Sequence, residues 1–199
     1  SPQYIPGNGE LSVVKVGKDT SQRLWSFSIR NPGQSDCLIE ELDNVGYYLW
    51  MNNSKLTLFL VDENNLNHEL GRYDLEKRKF NRIDSAVGRC FLKMPNESKV
   101  LYLSKKDIKN WKLRVYDFAR DESFELTDAL EEEEDYCILD THYILSGKGN
   151  KIYGHTLDAK NKDWVMIQDL SNSIKGDIQR ISINPNYNKI AIVVLKPSE

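Results

Sequence analysis

The chain has 199 residues, 40% of them hydrophobic and 29% charged, with a formal net charge of -3 from 27 basic and 30 acidic side chains. This balance suits a globular chain with a sizeable core and argues against disorder, and its scattered lysines offer no basic stripe for a phosphate backbone, so nucleic-acid binding is not expected. No run approaches the ~18 apolar residues of a membrane span, and residues 1–6 lack the charged start and apolar core of a signal peptide.

Taken in order, residues 3–5, 11–16, 24–29 and 37–42 read as four strands. They are separated by the turn residues Pro6 to Gly9, a polar connection at 17–22, and Asn31, Pro32 and Gly33. Trp25, Phe27 and Ile29 alternate with Ser26 and Ser28, the period of a half-exposed strand. The same order recurs at 47–51, 56–61, 69–75 and 80–83, then at 90–94, 100–104, 113–118 and 124–127. It recurs again at 136–139, 143–146, 152–157 and 164–170, and stops after two strands at 178–183 and 190–195.

Aligning the copies on the residue that ends the first turn gives Glu10, Lys55, Lys99, His142 and Lys189, spaced by 45, 44, 43 and 47 residues. A period in the forties made only of strands and turns indicates a propeller or array. A second signature runs in register with it: Tyr73, Asp74, Leu75 and Tyr116, Asp117, Phe118 occupy equivalent third-strand places. The second strands, such as 56–61 and 190–195, are apolar on both faces, as strands sandwiched between neighbouring sheets must be. The expected fold is an all-β propeller of four-stranded antiparallel blades at about 1–43, 44–87, 88–133 and 134–177, with a half blade at 178–199.

The turn between first and second strands, followed by the tyrosine-aspartate third strand, resembles the TolB-like propeller family of bacterial extracytoplasmic proteins. That family carries Ser-Pro-Asp-Gly in this turn. Here Asn184-Pro185-Asn186, Ile5-Pro6-Gly7-Asn8 and Met94-Pro95-Asn96 retain part of it, whereas Asn52-Asn53-Ser54 and the shortened Asp140-Thr141 depart from it. The resemblance implies a six-bladed ring closed by N-terminal strands, with roughly 65 further residues upstream of Ser1 by repeat arithmetic. It also implies a periplasmic or envelope setting and a non-enzymatic role in recognition or scaffolding. The alternative is the propeller of a prolyl-oligopeptidase-like or dipeptidyl-peptidase-like serine peptidase, with its hydrolase domain outside these residues.

Chemistry-bearing patterns are few. Ser12 and Lys15 have a serine-x-x-lysine spacing, but residues three apart on a strand face opposite ways, and no glycine-x-serine-x-glycine elbow occurs. Gly147, Lys148 and Gly149 lack the Ser or Thr and the following helix of a phosphate loop, and suit a hairpin turn. His68, His142 and His155 have no metal-ligand spacing and are expected at surfaces or strand ends. A sugar-active enzyme would need convergent carboxylates with a histidine; Asp135 and Asp177 are the candidates, with His142 expected at the opposite end.

Cys37, Cys90 and Cys137 are widely spaced and odd in number, which suits small apolar core residues rather than a disulfide or metal framework. The run Glu131 to Asp135 lacks the ligand spacing and glycine of a calcium loop and is expected as a solvated connection between blades. No metal or cofactor is therefore expected. In a propeller, first strands and the loops entering them crowd one rim, which gathers Tyr47, Arg89, Asp135, Tyr136 and Arg180, with Trp111 reaching the same side. Aromatics beside arginine are what a binding hot spot uses. The expected partner is a protein, peptide or glycan at that rim, and the expected state is a monomer.

Overall fold

The computed structural model describes residues 2–31, 33–140, 142–157 and 163–195. Pro32 of the first-repeat turn and Thr141 of the shortened turn lie outside the described residues. Eighteen strands and no helix occur among those described.

The chain divides into two compact units, residues 1–87 and 88–199. In the first, β1 (Gln3–Tyr4), β2 (Glu10–Val16), β3 (Gln22–Ser28) and β4 (Ser35–Cys37) pair in sequence order. They are followed by a second meander of β5 (Val45–Trp50), β6 (Lys55–Leu60), β7 (Glu69–Asp74) and β8 (Lys79–Ser85). β9 (Val87–Lys93), which enters the second unit at Gly88, forms one sheet with β10 (Lys99–Ser104), β11 (Lys112–Asp117) and β12 (Glu122–Asp128). A further sheet comprises β13 (Tyr136–Leu139), β14 (Tyr143–Lys148), β15 (Lys151–Thr156) and β16 (Val165–Asp169). A hairpin of β17 (Asp177–Ile183) and β18 (Ile190–Leu195) completes the order.

The repeat signatures have a local physical cause. Asp74 accepts hydrogen bonds from the amides of Glu76 and Lys77, and Asp117 from those of Ala119 and Arg120. Each aspartate therefore ends its strand and closes the next turn with its own carboxylate. Asparagine does the same in the first turns: Asn52 accepts from Ser54 and Lys55, and Asn184 from Asn188 and Lys189.

Packing explains the doubly apolar second strands. Every residue of β6 after Lys55 and of β10 after Lys99 is buried, as are residues 144–147 of β14. In the first unit Leu24 of the first sheet, and Ile39 just beyond it, pack with Val45, Leu56, Leu58 and Tyr73 of the second. Ser12 is wholly buried there; its hydroxyl donates to the Gln3 carbonyl at 3.1 Å and accepts from the Trp50 indole at 2.8 Å. Lys15 instead lies over the Trp25 ring at 4.2 Å, so the two members of the serine-x-x-lysine pattern are engaged separately. In the second unit Leu101, Leu103, Tyr136, Ile138 and Ile144 form one core, and Cys137, Leu145, Ile152, Ile178 and Ile181 form the next.

Three expectations are corrected. The fourth strand of the first sheet is Ser35–Cys37 rather than 37–42, because Leu38, Ile39 and Leu42 turn into the core instead of continuing the ladder. β18 is not sandwiched: Ile190, Val193 and Leu195 are exposed, and among the described residues β18 pairs only with β17. His155 is buried against Trp164, with ring centroids 5.5 Å apart, and burial lowers its pKa so that it sits as a neutral core histidine. His142 is exposed beside Asp140, and half-buried His68 accepts from the Asp62 amide at 3.1 Å.

Of the Gly147–Gly149 segment only Gly149, at φ 57°, lies in the hairpin turn, which it forms with Asn150; Gly147 and Lys148 are still in β14, paired with Ile152 and Lys151. Gly147 carries a packing requirement: a Cβ there would lie 2.4 Å from Ile178 Cγ2. Gly147→Ala is therefore expected to destabilise the second unit by about 1–3 kcal/mol. Val165→Ala, on an exposed strand, should change stability by less than about 0.5 kcal/mol. Urea unfolding of both variants checks the contrast.

Candidate recognition groove

In an antiparallel meander, connections alternate between the two ends of the sheet. The connections at 105–111, 129–135, 149–150 and 170–176 therefore all emerge at one end of the second unit. Arg89, near the start of β9, lies at this end. So does Arg180, where a bulge in the β17–β18 ladder leaves Gln179 as the extra residue. Bulges re-aim side chains in this way.

Between these elements lies a hollow of about 420 Å³, lined by Arg89, the acidic residues from Glu132 to Asp135, Lys148, Asp177 and Gln179. The acidic run is not the uniformly solvated loop expected from the sequence. Glu131 accepts from Lys148 at 2.9 Å, Glu134 pairs with Lys105 and lies 3.9 Å from Arg89, and Asp135 accepts from Arg180 at 2.9 Å. Lys105 in turn stands 4.2 Å above the Trp111 ring. A continuous line of contacts thus runs from Trp111 through Lys105 and Glu134 to Arg89.

Asp135 has a second function: its other carboxylate oxygen accepts the Ile181 amide at 2.7 Å. One carboxylate therefore caps an outward-facing N–H of β17 and holds the neighbouring guanidinium. Charge-assisted bonds of this kind are the strong ones. Asp135 and Arg180 form a clasp between the last four-stranded sheet and the final hairpin.

The remaining carboxylates are placed differently. Glu132, Glu133 and Asp177 have no ion pair among the described residues, and Glu132 holds a left-handed backbone at φ 62°. Burial pushes the Glu133 carboxyl up; Lys148 opposes this, while Asp177 and Glu132 reinforce it. Burial also disfavours the ionised form of Glu134, but the Lys105 hydrogen bond and charge, aided by Arg89, outweigh it and hold that carboxyl below its ordinary value.

The six residues singled out from the sequence fall into three groups. Arg89, Trp111, Asp135 and Arg180 converge at this end of the second unit. Tyr47 lies on β5 of the first unit, partly exposed, with its ring edge-on to Phe59 at 5.6 Å. Tyr136 is corrected: it is 3% exposed, and its hydroxyl lies 2.8 Å from the Cys90 carbonyl, so it ties β13 to β9 inside the core and presents no rim surface. Burial raises its phenol far above the usual range. Burial likewise raises the Cys90 and Cys137 thiols to about 12, with Asp135 adding to both, which suits inert core thiols.

Sequence reasoning did not single out Lys148 and Glu133 as groove residues, nor Lys105 as the link between Trp111 and Glu134. The alternation of connections contained the signal, because their segments must emerge beside Trp111. No group of three or more potential metal ligands occurs among the described residues. No described helix is long and apolar enough to cross a membrane.

Two outcomes follow. Asp135→Ala should cost about 2 kcal/mol through loss of charge-assisted bonds, read as faster amide exchange across β17. For Glu133 the folded pKa is raised, so its ionised form costs stability above that pKa and the cost disappears below the ordinary carboxylate range. Glu133→Gln should therefore raise Tm by about 1 °C at pH 7, given partial solvent screening, and leave it unchanged near pH 3, as thermal melts at both pH values would show.

No protein-family model matches this sequence. No curated protein matches it either. Solved structures do match the fold. TolB from Acinetobacter baumannii is 14% identical with a TM-score of 0.68, over 96% of this chain and 47% of that one. The β-propeller domain of the Trilobed protease from Pyrococcus furiosus is 12% identical with a TM-score of 0.53, over 80% of this chain and 53% of that one. The acylaminoacyl peptidase of Pyrococcus horikoshii is 12% identical with a TM-score of 0.59, over 97% of this chain and 35% of that one. The chain thus has a β-propeller fold similar to that of TolB and spans about half the length of that structure.

Proposed function

We propose that the protein is a non-enzymatic recognition or scaffold module that binds a protein or peptide at the loop end of its second unit, in the bacterial periplasm or envelope. The observation that carries this reading is a pair of adjoining hollows that share Glu132: one is lined by Arg89 and by three carboxylates without ion pairs among the described residues, the other by Trp111 and the exposed Ile108. Aromatic and arginine groups flanking a hollow supply the anchoring contacts of an interface. The similarity to TolB supports the cellular setting by fold analogy.

A second reading is supported by the similarity to the acylaminoacyl peptidase: the chain is the propeller of a larger serine peptidase. A glycine-x-serine-x-glycine segment in the encoded sequence after Glu199 would favour it.

The recognition reading is tested by placing a photo-crosslinking residue at Ile108, on the loop end, and separately at Arg120, in the opposite-end turn, before exposure to a bacterial periplasmic extract. A discrete crosslinked product from Ile108 and none from Arg120 is expected. The same product from both positions, or none from Ile108, would remove the loop end as the binding surface.

A further inference from the structure

A second hollow adjoins the charged one. It measures about 320 Å³; Ile108, Trp111, Ala129 and Leu130 give it an apolar side, and Lys109, Asn110, Glu131 and Glu132 complete its wall. Glu132 is common to both hollows. Ile108 is 88% exposed at the tip of the β10–β11 connection, an arrangement with no value for core packing. Each hollow lies at the lower end of the size range of ligand clefts, about 300–1,000 Å³.

The two differ in what they accept. The hollow beside Ile108 offers an aromatic ring, an isoleucine and a leucine. The charged hollow is lined by more carboxylates than cations: Arg89 and Lys148 are already paired with Glu134 and Glu131, and Glu132, Glu133 and Asp177 have no ion pair among the described residues. Burial first, and then the charges of Asp177 and Glu132, disfavour the ionised Glu133 carboxylate, and a cation bound beside it would oppose all of these. An anionic glycan or nucleic acid meets the wrong sign of charge here. A lysine or arginine side chain suits the site, since its aliphatic stem can lie on apolar surface while its head reaches the carboxylates.

Resting on the recognition reading above, we propose that the occupant is a peptide segment carrying a basic side chain within two positions of a large apolar one. The basic group enters the hollow beside Glu133 and Asp177, and the apolar group enters between Ile108, Trp111 and Leu130. In an extended segment, side chains two positions apart share a face at roughly 6.8 Å. One short strand of partner can thereby present both groups to two hollows that share a wall.

The test pans a randomised heptapeptide phage library on the purified chain, then measures a fluorescein-labelled selected peptide by anisotropy. Enrichment of Lys or Arg within two positions of Leu, Ile, Phe or Trp is expected. Combined Glu133→Gln and Asp177→Asn should weaken that peptide about tenfold, and Ile108→Ser should weaken it severalfold. A thermal melt of the double variant at or above that of the parent chain separates lost binding from misfolding. Selection of no peptide, selection of peptides lacking a basic residue, or affinity indifferent to the double substitution overturns the proposal. If crosslinking at Ile108 still captures a partner in those cases, the recognition reading stands and only the basic-apolar chemistry falls. Failure of both experiments removes the two together.

Discussion

A strand that is apolar on both faces cannot be shielded by the sheet it belongs to. In this chain β6 and β10 are buried on both sides over nearly their whole length, and the middle of β14 likewise. Burying one Leu or Ile side chain is worth roughly 1.5–3 kcal/mol, so each such strand makes its meander depend on a neighbour for most of its stabilisation. Within each unit, consecutive sheets therefore share their cores, with Leu24 and Ile39 against Leu56 and Leu58 in one and Leu101 and Leu103 with Ile138 and Ile144 in the other. Repeat proteins obtain their stability in this way, through interfaces rather than through autonomous units.

That arrangement decides where binding chemistry can go. β6, β10 and the middle of β14 are consumed by packing, and β7 and β11 end on aspartates that close their own turns. The connections are what remains. Those leaving one end of the second unit are richer in charge and in exposed apolar groups than packing requires, with Ile108 outermost and the run from Glu131 to Asp135 beside it. Local structure then divides the labour among carboxylates adjacent in sequence. Asp135 is used by the fold, as a clasp on β17, and Glu134 is neutralised by Lys105 and Arg89. Glu133 is held where its charge is costly. Charges kept at a stability cost on a concave surface are characteristic of sites that meet something else.

Much of the architecture was legible in the residues. Strand periodicity, a spacing in the forties and the recurring tyrosine-aspartate pair are local properties, so the succession of four-stranded meanders and the final hairpin could be read directly. The errors share one cause. Residues 37–42 read as a strand, yet Ile39 is needed in the core; residues 190–195 read as sandwiched, yet β18 pairs only with β17 among the described residues. His155 and Tyr136 look like polar or amphipathic residues in sequence, and only their neighbours, Trp164 and the Cys90 carbonyl, show that they belong to the interior.

The sequence by itself determined the element type, the repeat and the turn chemistry, because each depends on residues within a few positions of one another. The tertiary structure decided which carboxylates are paired, which aromatic residues are accessible, and that Trp111, Arg89 and Asp177 border adjoining hollows. Those facts depend on contacts between residues some 45 positions apart, as between Arg89 and Glu134 or Asp135 and Arg180. A charge in the sequence carries no record of the partner that will neutralise it, whereas folding fixes the distance and the burial that set its energy.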